Sequence, residues 1–164
     1  MNIFGVVMFM KRFFYAAFLI FILCSCSKNV SSMKDGYYIA EMAEFNERGW
    51  KDYLTIRVSG GKIIHVEYDA NNPSGFIKSW DMEYMRAMKE HVGIYPNAYT
   101  RIYSEGLLKN QSTAGIDCIS GATYSFHVFI QLAEAVLENA KIGKTGIELV
   151  HGAGTEGHSL RGNN

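Results

Sequence analysis

The run WKDYLTIRVSGGKIIHVEYDA, residues 50–70, does most to limit what this chain can fold into. Leu54, Ile56 and Val58 alternate before its glycine pair, and Ile64, Val66 and Tyr68 alternate after it. Period-two alternation places each set on one face of a strand. Gly60 and Gly61 can take positive φ without steric cost, as a tight hairpin turn requires. A hairpin across residues 59–62 follows. Upstream, GYYIAEMAEF carries strand-prone Tyr37, Tyr38 and Ile39, which extends the hairpin to a three-stranded antiparallel meander. The NNPSG cluster at 71–75 ends it.

Helical spacing then takes over. In SWDMEYMRAMKEHVG, Ser79 or Asp81 is placed to cap a helix bearing Met82, Met85 and Met88, and Gly93 is placed to end it. The methionines read either as core filler or as a soft wall beside a flat ligand. Pro96 suits the first turn of a second helix, with Tyr99, Ile102 and Tyr103 on its apolar side and Gly106 near its end. A third helix is marked by Phe126, Phe129, Ile130, Ala133, Val136, Leu137 and Ala140. Those steps of three and four make an apolar stripe fit to lie on a sheet. IELV, at 147–150, offers a short edge strand, and the Gly-rich remainder to Asn164 reads as mobile. The fold class expected is therefore α+β: a small antiparallel sheet packed by about three helices.

The start of the chain has the marks of an export signal. Lys11 and Arg12 precede an apolar stretch from Phe13 to Leu23, and LCSC follows with small Ser25 just before Cys26. A cysteine after such a cut resembles a bacterial lipobox, so Cys26 is the expected lipidation residue. Residues 1–25 then form a lipoprotein signal peptide and residues 26–35 a Ser-rich tether. Eleven apolar residues are too few to cross a bilayer core. The full chain balances 16 basic against 16 acidic residues. Cleavage removes Lys11 and Arg12 and leaves the mature chain slightly acidic, which argues against a nucleic-acid partner. The five histidines lack metal-ligand spacing, so no metal is expected. GAGTEG, at 152–157, matches a dinucleotide fingerprint in spacing, but no helix can follow it so near Asn164.

The stretch DCISGATYSF opens the third helix. Read plainly, Ser120 or Thr123 caps that helix, and Gly121 allows an unusual backbone angle. Read chemically, the helix end offers unpaired N–H groups and partial positive charge to a phosphate. Small residues at Ser120, Gly121 and Ala122 would let a bulky ligand approach, and Thr123 would present a hydroxyl there.

Asp117, Ser120, Gly121, Ala122 and Thr123 together form D-x-x-S-G-A-T, which resembles the flavinylation motif of the FMN-binding domain family. That family includes a subunit of the sodium-translocating NADH:quinone reductase and small bacterial flavin lipoproteins. The likeness runs over 36–143 and includes DGYYIAE, GWKDYLTI and KSWDMEYMRAM. It implies that Thr123 carries FMN through a phosphoester, attached from FAD by a Mg²⁺-dependent flavin transferase, with Asp117, Ser120, Gly121 and Ala122 as the recognition sequence. It also suggests Lys78 and Tyr84 as cofactor contacts. Tyr99, Tyr103 and Tyr124 are further aromatics that can pack near a flavin ring. The implied role is a redox carrier rather than a stand-alone enzyme. It would be lipid-anchored on the extracytoplasmic side of the cell membrane, passing electrons from a membrane dehydrogenase or the quinone pool to outside acceptors. Two alternatives stay open: a module that binds FMN or another phosphorylated ligand without a bond, and an unmodified structural surface lipoprotein.

Overall fold

The computed structural model describes residues 32–152, so the leader, Cys26 and the chain from 153 onward lie outside the described residues. Strands β1 (Gly36–Met42), β2 (Lys51–Ser59) and β3 (Lys62–Asn71) form the antiparallel meander. A 3₁₀ turn (Lys78–Trp80) leads into α1 (Met82–Val92), α2 (Pro96–Asn110) and α3 (Thr123–Ile142). β4 (Ile147–Val150) then joins the sheet, whose order is β3-β2-β1-β4. The architecture is α+β, a small sheet packed by three helices.

The sheet is mixed rather than wholly antiparallel, because β4 runs parallel to β1. α3 explains this. Its C-terminal end reaches the beginning of β1, where Lys34 N donates to Ala140 O at 2.8 Å. A strand launched from there runs with β1, and α3 serves as the long crossover that a parallel neighbour needs.

Gly60 and Gly61 sit at φ 61° and 73°, the pair of positive angles a two-residue hairpin loop demands. Beside that turn the pairing slips: Arg57 faces His65, but Val58 faces Ile63. Ile64 is the extra residue of this bulge and is exposed, while Ile63 takes the core position. The expected alternation of Ile64 with Val66 and Tyr68 therefore fails at its first member.

The core lies between the sheet and two helices. Tyr38 and Ala40 of β1 and Leu54, Ile56 and Val58 of β2 point inward. Phe129, Leu132, Ala133, Val136 and Ala140 of α3 pack on these strands, and Tyr99, Tyr103 and Leu107 of α2 pack on β3. Ile102 departs from the expected stripe and is half exposed. Gly106 does not end α2, which continues to Asn110. Its missing side chain makes room for Ile116, whose Cγ1 would lie 3.3 Å from an added Cβ. α1 begins and ends as the sequence indicates. Asp81 accepts a bond from Tyr84 N at 2.9 Å, and Gly93 closes the helix at φ 79°. Its methionines divide: Met82 is exposed, Met85 is intermediate, and Met88 packs partly buried against the core while also lining the cleft.

Candidate functional site

The segment between α2 and α3 makes a turn in which Ala122 N donates to Ile119 O at 2.9 Å. Tyr103 fixes that turn from below, its hydroxyl accepting from Ile119 N at 3.2 Å. Ala122 is the residue that precedes the helix, and Thr123 is already its first turn. Neither Ser120 nor Thr123 caps α3: among the described residues no side chain bonds the free amides of that turn. Asp117, Ser120 and Thr123 are exposed, whereas Ala122 is buried.

Gly121 has a different task from the one its smallness suggests. It sits at φ 83°, and an added Cβ would lie 3.0 Å from Val92 Cβ and Ile94 Cγ2. The missing side chain thus admits the C-terminal end of α1. It nevertheless borders a cleft, along with Ala122, Tyr124 and Ser125.

This cleft has a volume of about 710 Å³. The first turn of α3 forms one wall, and α1 forms another through Tyr84 and Met88. A third comes from the β1–β2 loop, where Asn46 Oδ1 accepts from the amides of Arg48 and Trp50 and holds the loop in shape. Trp50 is buried and meets Tyr84 edge-on at 6.1 Å, and Arg48 Nη1 donates to the Tyr84 hydroxyl at 3.3 Å. Lys78 and Tyr99 lie deeper. Of the residues singled out in the sequence, Lys78, Tyr84, Tyr99, Tyr124, Gly121 and Ala122 all line the cleft. Asp117, Ser120 and Thr123 are exposed and are not among its lining residues, though Thr123 follows Ala122 and precedes Tyr124 in sequence. Tyr103 belongs to the core instead, stacked on Phe129 at 5.3 Å.

Lys78 is only 4 % exposed, and its Nζ lies 5.6 Å over the Tyr84 ring. Burial works against its charge, but its neighbours, Tyr99 first and through a hydrogen bond as well, outweigh it and hold the ammonium pKa above the ordinary value. Below Lys78, burial pushes the carboxyl of Asp52 up despite the opposing pull of Lys78 and the Tyr68 bond. Burial also raises Tyr99. Sequence reasoning passed over Asp52, Arg48 and Ser125. Asp52 did carry a signal, since it continues the inward alternation of Leu54, Ile56 and Val58 and so puts a carboxylate at a core position.

The fold and cleft define a small α+β domain with a ligand-sized site at the uncapped start of its last helix. The chain is 37 % identical over 134 residues to the 15 kDa lipoprotein of Treponema pallidum (strain Nichols), which spans 82 % of this chain and 94 % of that one. It belongs to the family of that lipoprotein. A crystal structure of a Clostridium perfringens protein matches with a TM-score of 0.70 at 40 % identity, over 73 % of this chain and 98 % of that one. No family model matches the chain. Among the described residues, no helix is long and apolar enough to cross a membrane.

Proposed function

We propose that this protein is a membrane-anchored electron carrier, lipidated at Cys26 and bearing FMN as a phosphoester on Thr123. The observation that supports the reading most is the position of Thr123. It is exposed on a first turn whose amides no side chain among the described residues caps, and its sequence neighbours Ala122 and Tyr124 line the cleft. Free amides and the positive helix end favour a phosphate at that point. The cleft volume falls within the range of about 300–1,000 Å³ usual for small-molecule sites. Tyr84, Tyr99 and Tyr124 offer aromatic walls, and Lys78 offers a buried cation. FMN supplies the electron-accepting ring, and the protein's part is to hold and polarise it.

On this reading, a flavin transferase using FAD and Mg²⁺ recognises the exposed Asp117 and Ser120 and modifies Thr123. A membrane dehydrogenase or the quinone pool supplies electrons on the extracytoplasmic side. The lipoprotein name of the Treponema relative supports the anchor. The test is co-expression with a flavin transferase, followed by denaturing electrophoresis and flavin fluorescence. Fluorescence should stay with the wild-type band and be absent from Thr123→Ala. Flavin lost on denaturation would leave a non-covalent binding module, and a colourless product would leave a structural lipoprotein.

A further inference from the structure

The Tyr68 hydroxyl lies 2.8 Å from Asp52 Oδ1 and 2.9 Å from the Ser125 carbonyl oxygen, and all three residues are buried. A phenol has one proton to donate, and both neighbours are acceptors when Asp52 is ionised. One of the two short contacts would then set oxygen against oxygen with no hydrogen between. A proton on Asp52 resolves it: the carboxyl donates to Tyr68, and Tyr68 donates to Ser125. Asp69 is a useful contrast. It is also buried, but it accepts from Ala70 N at 2.8 Å and Ser79 N at 3.2 Å, donors that suit a carboxylate.

The consequence falls on Lys78. Among the described residues, ion pairs join Lys51 to Glu41, Lys141 to Glu138 and Lys144 to Glu148, and Lys78 is in none of them. The charged or titratable groups around it are Asp52 from β2, Asp69 from β3, Tyr84 from α1 and Tyr99 from α2. With Asp52 neutral, Asp69 is the carboxylate that remains beside the cation, and no salt bridge joins the two.

We infer that Asp52 is held protonated beneath the cleft, so that the buried cation Lys78, with Asp69 as its remaining carboxylate neighbour and no salt bridge to it, is available to negative charge on the ligand. Given the flavin reading above, on which the second half rests, that charge is what reduction adds to the ring. Lys78 therefore favours the reduced form and raises the reduction potential, while Asp52 is the positioning residue that keeps a second carboxylate charge away from the cation.

Two measurements test this. Infrared spectra of the flavin-free protein at neutral pH should contain the carbonyl stretch of a protonated carboxyl group, and Asp52→Asn should remove it. An unchanged band, or none in the wild type, overturns the proton on Asp52. Dithionite titration of the protein holding FMN, by ester or by binding alone, reads Lys78. Lys78→Met should disfavour the reduced form at least tenfold, a drop of about 30 mV for a two-electron couple. Asp52→Asn, which can still donate to Tyr68, should keep the wild-type potential. Equal potentials in wild type and Lys78→Met, or a cleft that takes up no FMN, overturn the role of Lys78. The gel experiment on Thr123 fails or succeeds separately from the infrared comparison.

Discussion

α1 and α3 both end on a glycine in the left-handed region, yet they serve opposite purposes. α3 buries eight of its residues, among them Phe129, Leu132 and Val136, while α1 buries none. Their beginnings are reversed in the same sense. α1 has a side-chain cap in Asp81, and α3, which the fold depends on, has none. A helix held by its apolar face does not need its first amides satisfied by its own side chains, and so can offer them elsewhere. A helix that lies on the surface as a cleft wall depends on its cap for definition.

This contrast can be broken at four points. Phe129→Ala should destabilise the domain by about 3–5 kcal/mol in chemical denaturation, the usual range for a buried aromatic. A loss near zero would remove α3 from the core. Gly121→Ala acts where the two helices approach each other. Strain at φ 83° and the contacts with Val92 and Ile94 should together cost about 1–3 kcal/mol. The melting temperature reports it, and an unchanged value would mean that α1 shifts freely. Removing the α1 cap in Asp81→Ala should cost about 1 kcal/mol. The loss should appear in faster amide exchange confined to α1, and exchange rising equally in α3 would end the distinction. Met82→Ala, on a side chain 66 % exposed, should stay within about 0.5 kcal/mol in the same denaturation assay. A larger loss would give α1 a packing role.

The elements easiest to read were those where period and punctuation agree. Alternation and Gly60-Gly61 mark the β2–β3 hairpin, and the stripe from Phe126 to Ala140 marks α3. Ile64 was misplaced because a bulge depends on cross-strand pairing that a single strand's pattern does not contain. The parallel pairing of β4 was hidden for a similar reason, since four residues say nothing of direction. Around the cleft, the DCISGAT segment was legible as a helix start, and Lys78 and Tyr84, which line the cleft, were suggested only by the family resemblance of their segment. The Asn46-centred loop and the Asp52–Tyr68–Ser125 contacts were not. They join residues far apart in sequence, and only the folded chain brings them together.

Lys34 Nζ donates to Ile142 O at 2.9 Å, so the residue that leads into β1 is fastened to the last turn of α3. Thr123 opens that same helix. At about 1.5 Å per residue, its twenty residues separate the two ends by about 30 Å. The helix is a spacer between opposite poles. The cleft beside Thr123 and the Lys34 fastening of β1 therefore lie at opposite ends of α3.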